Sequence, residues 1–120
     1  MNWYIKANSE NLFLYHGTNE GRARQIAKHG LLSGLNSKNT TSKEIFLSNS
    51  EQYAQSYADR KGGSTGVILR IRKTPEMIAD ANTGLQGDFK TIQTIPPEMI
   101  EIKTLNGWKK LLGFYDNELV

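Results

Sequence analysis

A chain of 120 residues is long enough for one domain with one ordinary core, so a single domain spanning residues 1–120 is expected. With 0 cysteines it has no disulfides, no thiolate nucleophile and no zinc–thiolate site. No apolar run approaches the roughly 20 residues of a membrane span, and the first residues lack the pattern of a secretory leader. Fifteen basic against 12 acidic residues give a net charge of +3 spread over both halves, a mixed surface that suits an anionic ligand and is far from a nucleic-acid-binding tract.

In chain order, residues 12–15 are a short apolar run, bounded by Gly17 and Asn19 and followed by a helical pattern, which predicts a strand. A helix is predicted over 18–29: Ala23, Ile26 and Ala27 share a face that Leu31 extends. Thr18 or Asn19 caps its start, and Gly30 closes it in a left-handed conformation. Residues 33–42, rich in Gly, Asn, Ser and Thr, read as a loop, and 44–48 as a strand. A second helix is predicted over 51–60, capped by Asn49 or Ser50, with Tyr53, Ala54, Tyr57 and Ala58 as its apolar stripe. A glycine-rich turn over 61–66 leads into the clearest strand, 67–72, where Val67, Leu69 and Ile71 alternate with Ile68, Arg70 and Arg72.

The second half reads mostly as strands. Residues 75–87 mix a short helix with a loop, 89–95 suit an edge strand stopped by Pro96 and Pro97, and 99–105 alternate again. Residues 108–114 fit a strand or a half-helix. Helices in the first half and strands in the second predict an α+β fold. Trp3 and Trp108 are expected to pack, His29 to lie on the surface, and Glu98 and Glu101 to face solvent.

Three segments could carry chemistry. Tyr15-His16-Gly17-Thr18 sits where a strand is expected to meet a helix. Free N–H groups there and an imidazole that titrates near neutrality suit a phosphate or carboxamide, and Gly17 lets a ligand approach the backbone. Ile45-Phe46-Leu47-Ser48, followed by Tyr53 and Tyr57, offers aromatics on a strand and the next helix. These could sandwich a flat ring, and they fit a core equally well. Gln86-Gly87-Asp88 places a carboxylate just before a strand, where it could orient a hydroxyl or face a cation, or simply make a turn.

In their order and spacing, these segments resemble the ADP-ribosyltransferase superfamily, in particular the branch of diphtheria toxin and the poly(ADP-ribose) polymerases. The resemblance runs through Tyr15-His16-Gly17-Thr18, Gly30-Leu31-Leu32, Ile45-Phe46-Leu47-Ser48, Ala54 with Tyr57-Ala58, the strand from Gly66, and Ile95-Pro96-Pro97-Glu98, covering roughly residues 12–102. It implies a split antiparallel β-sandwich with flanking helices and a central NAD cleft. It also implies transfer of ADP-ribose from NAD to a macromolecular acceptor, protein ahead of nucleic acid, with release of nicotinamide.

Carried over residue by residue, the resemblance has His16 bond the adenosine-side ribose of NAD, Gly17 hold the nicotinamide carboxamide through its backbone, and Thr18 assist the ribose or cap the helix. Tyr57 stacks on the nicotinamide with Phe46 opposite, and Ser48 and Tyr53 join the NAD-binding set. His16, Asp88 and Gln86 are the candidate catalytic residues, with the acid stabilising an oxocarbenium-like ribose cation. The chain departs from the pattern in having Phe46 for the strand tyrosine, Ala54 for the helix serine, and Asp88 where a glutamate is usual. Gln86-Gly87-Asp88 and Ser48-Asn49-Ser50 echo the arginine-modifying branch. The alternatives are an inactive NAD- or ADP-ribose-binding module and an NAD-dependent RNA 2′-phosphotransferase. No metal and no membrane contact are expected. The implied setting is the cytoplasm of a bacterium or phage-infected cell, for a small toxin-like effector.

Overall fold

Strands form here where apolar alternation and cross-strand pairing agree, and the best alternating segment lies near the middle of the sheet. The structure is a computed structural model and describes residues 12–32, 44–62, 65–79 and 88–116. Among them are the strands β1 (Phe13–Asn19), β2 (Ile45–Ser48), β3 (Gly66–Arg72), β4 (Ile78–Ala79), β5 (Asp88–Thr91), β6 (Ile100–Thr104) and β7 (Gly107–Lys110). The helices are α1 (Glu20–His29) and α2 (Glu51–Gly62). The strands form one antiparallel sheet in the order β4-β5-β2-β1-β3-β6-β7, so the fold is α+β. No helix among the described residues is long and apolar enough to cross a membrane.

Alternation divides the apolar residues between the two faces of the sheet. Leu14, Ile45, Leu47, Leu69, Ile71, Ile100 and Ile102 form the main core together with Ile26 and Ala27 of α1. On the other face, Ala54 and Ala58 of α2 press on Ile68, flanked by Tyr15 and Trp108. Arg70 lies between the rings of Phe13 and Trp108, at 4.2 and 4.5 Å, and donates to Glu101 at 2.7 Å. Glu101 is therefore a half-buried ion-pair partner and not the solvent-facing residue expected, while Glu98 is exposed.

The first strand is longer than its apolar run. Its register with β3 continues from Phe13↔Arg72 to Asn19↔Gly66, so pairing and not hydrophobicity holds residues 16–19 extended. His16, Gly17 and Thr18 therefore lie inside a strand, which corrects the expected strand-to-helix junction. The cap of α1 is Asn19, whose side chain accepts from the Arg22 N–H at 2.8 Å, and Thr18 is buried in β1. Gly30 has the expected positive φ of 81°, but its ψ of −179° is extended and not left-handed helical. Any Cβ at Gly30 would strike the Ile95 carbonyl, with which Leu31 makes a two-way backbone bridge. Ser50 caps α2 by accepting from the Tyr53 N–H at 3.0 Å.

Further along, Ile78–Ala79 is a strand and not a helix, and it pairs with β5. That pairing makes β5 an inner strand. The chain leaves the sheet after Thr91, whose hydroxyl accepts from the Gln93 N–H at 3.1 Å, so 89–95 is not one continuous edge strand. Trp108 belongs to β7, which resolves the ambiguity at 108–114 in favour of a strand followed by turns. The predicted loop at 33–42 and Trp3 lie outside the described residues.

Helix α2 lies tight against β1 because Gly17 has no side chain: a Cβ there would collide with the Ala54 carbonyl oxygen. Gly17→Ala is expected to destabilise the fold by about 1–3 kcal/mol in urea denaturation, as overpacking against backbone does. Gly21→Ala, in α1 with only the Asn19 side chain at 3.5 Å, is expected to be neutral or stabilising by about 0.5 kcal/mol.

Candidate functional site

The sheet is weakest between β1 and β2. Where β1 meets β3 along its whole length, it meets β2 at the single register pair Tyr15↔Ser48. Strand β2 pairs instead with β5, from Ile45↔Thr91 to Ser48↔Asp88. Among the described residues, 16–19 are thus paired on one side only, and alternate residues of such a strand turn N–H and C=O groups toward the open side. A groove of about 1050 Å³ occupies this opening, at the upper end of the range for small-molecule sites.

His16 stands at the seam. Its Nδ1 lies 3.2 Å from the Phe46 carbonyl oxygen on β2. A carbonyl only accepts, so Nδ1 carries the proton, and in the neutral ring Nε2 is left as an acceptor. Burial lowers the proton affinity of the imidazole below its ordinary 6.5; the Phe46 carbonyl opposes this and the nearby Arg22 guanidinium reinforces it. The ring is therefore neutral at pH 7 and borders the groove.

On the α2 face, register sets Tyr15, Ser48 and Asp88 in a row across three strands, since directly paired residues share a face. All three border the groove. Phe46 projects from the same face of β2 and is 48% exposed, while its neighbours Ile45 and Leu47 are buried in the core. Tyr53 and Tyr57 on α2 are 43% and 39% exposed, so the three aromatics line the groove and are not core. Arg60 lies 5.7 Å over the Tyr57 ring. The Ser48 hydroxyl accepts from the Ser50 N–H at 3.0 Å, fixing the entry into α2. Glu44, at the groove's rim, pairs with Lys90 at 3.2 Å.

The structure thus gathers His16, Gly17, Thr18, Phe46, Ser48, Tyr53, Tyr57 and Asp88 around one groove. Gln86 lies outside the described residues. A further wall went unread in the sequence: Arg22, Gln25 and His29 of α1 also border the groove. Their spacing of three and four residues places them along one side of the helix, a signal hidden because the apolar residues between them draw attention first. The groove therefore offers exposed aromatic rings and a carboxylate on one side, and an imidazole, an amide and a guanidinium on the other. Such a lining fits an extended ligand with a flat ring and polar or anionic parts. No family model matches the chain, and no curated protein matches it.

Because the folded state holds His16 neutral, the unfolded chain binds the proton more tightly. The stability due to His16 is complete above 6.5 and is lost as pH falls through that value toward the lower folded pKa. Urea midpoints measured at about pH 7 and about pH 5 should fall more for the native protein than for His16→Gln. Equal falls would contradict an imidazole held neutral in the folded state.

Proposed function

We propose that the chain is an NAD-dependent ADP-ribosyltransferase, with the groove between β1 and β2 as its NAD cleft. The observation that supports this is convergence. Segments remote in sequence, around His16, around Phe46 and Tyr57, and at Asp88, each suit part of one ligand and border one groove. On this reading the halves β4-β5-β2 and β1-β3-β6-β7 are the two leaves of a split sandwich, and the seam at Tyr15↔Ser48 is where they diverge.

The roles follow from the chemistry of each side chain. The nicotinamide ring, flat and electron-poor, stacks against Tyr57 and Phe46, and its carboxamide bonds to backbone groups of β1 left open along residues 16–19. Nε2 of His16 accepts from a ribose hydroxyl while the Phe46 carbonyl holds the ring in place through Nδ1. Bond cleavage at the nicotinamide-bearing ribose carbon returns the bonding electron pair to the pyridine nitrogen, and the acceptor nucleophile then bonds to that carbon and loses its proton. Asp88 is the carboxylate that faces the developing positive charge, a pre-organised electrostatic role. Phe46 retains the stacking surface of a tyrosine without its hydroxyl.

The test combines NAD-binding calorimetry with release of free nicotinamide and transfer of labelled ADP-ribose to macromolecules. The native protein should bind NAD and release nicotinamide in step with labelling. Tyr57→Ala should weaken NAD binding by about 1 kcal/mol, the scale of one stacking contact. Asp88→Asn should retain binding and slow transfer by about 10²–10³-fold, as removal of a charge-stabilising group does. Absence of NAD binding by the native protein would refute the reading. Binding without nicotinamide release would favour a non-catalytic NAD module, which the loss of hydroxyls at Phe46 and Ala54 also supports.

A further inference from the structure

The described arginines differ in how their charge is met. Arg24 is paired with Glu20 at 2.8 Å, Arg70 with Glu101 at 2.7 Å, and Arg60 and Arg72 lie over the rings of Tyr57 and Phe13. Arg22 forms no ion pair or ring contact among the described residues, and its side chain is exposed. Among the described residues it is also the one arginine or lysine that borders the groove.

Its position disfavours a merely structural role. Arg22 lies in the first turn of α1, at the positive end of the helix dipole, where a cation weakens a helix. Its backbone N–H is already taken by Asn19, so the side chain contributes nothing to the cap. Glu20, the acid of that turn, is turned to Arg24. An uncompensated guanidinium thus stands at a groove wall, near enough to His16 to disfavour its protonation.

We infer that Arg22 is the anion anchor of the groove and grips the diphosphate of a dinucleotide, so that the site selects diphosphate-bridged ligands over nucleosides. The inference rests on the NAD reading for the identity of the dinucleotide, but not for the diphosphate. A guanidinium presents several donors in a fixed plane and meets phosphate oxygens through paired, charge-assisted hydrogen bonds. With the aromatic rings on the far wall, the ligand is fixed in direction: ring toward Phe46 and Tyr57, diphosphate toward α1.

The test measures binding of ADP, ADP-ribose, nicotinamide riboside and NAD to the full chain by calorimetry, for the native protein, Arg22→Gln and Arg22→Lys, with the melting temperature of each. Arg22→Gln should weaken ADP and ADP-ribose about tenfold or more and leave nicotinamide riboside within about twofold, with Arg22→Lys intermediate. Its melting temperature should be unchanged or raised, because a cation leaves the positive end of a helix; weakened binding therefore cannot come from unfolding. Three results would overturn the inference: ADP and ADP-ribose affinities within about twofold of native, an equal loss for the riboside, or no ADP binding by the native protein. If ADP binds in an Arg22-dependent way while NAD does not bind, the diphosphate anchor stands and the NAD reading fails.

Discussion

The join between β1 and β2 is the constraint on which the site depends. Elsewhere the sheet is laced by continuous register, but here it is held by the pair Tyr15↔Ser48 and by the bond from His16 to the Phe46 carbonyl. The two halves stay together because Leu14 on one side and Ile45 and Leu47 on the other enter the same core. Hydrophobic burial thus does the holding that hydrogen bonds do in an ordinary sheet, and it is non-directional. Among the described residues it leaves strand-edge polar groups without a ladder partner, and such groups cost about 1–3 kcal/mol each if buried unsatisfied. A groove open to water resolves that cost, so the groove falls where the sheet is least complete in itself.

Small residues set the other wall. Gly17 and Gly66 of the sheet face Ala54 and Ala58 of α2 so closely that a Cβ at either glycine would meet helix backbone. This draws α2 onto β1 and β3, and the helical period then leaves Tyr53 and Tyr57 beside the groove while Ala54 and Ala58 are buried. The glycine of the His16-Gly17-Thr18 segment therefore has a packing reason independent of any ligand. The same close approach accounts for alanine at position 54, which lies directly against β1.

The sequence carried the fold class, both helices and the facing of Val67, Leu69 and Ile71, because each rests on local periodicity. It did not carry the length of β1, since polar residues 16–19 are extended only by pairing with β3, a partner some fifty residues away. The strand at Ile78–Ala79 was hidden for the same reason: two residues have no period, and only β5 makes them a strand. For the site, motif order singled out the residues on β1, β2, α2 and β5, whereas Arg22, Gln25 and His29 became visible once α1 was placed beside the seam. Which helix forms a wall is a tertiary fact that no local pattern encodes.

On the proposed function, a dinucleotide occupies the seam. A crystal structure with a non-hydrolysable NAD analogue tests it most directly. The pyridine ring is expected against Phe46 and Tyr57, with main-chain bonds from residues 16–19 to the ligand and the His16–Phe46 bond intact. An analogue bound elsewhere, or β1 and β2 paired without interruption through Asn19 so that no groove remains, would contradict it.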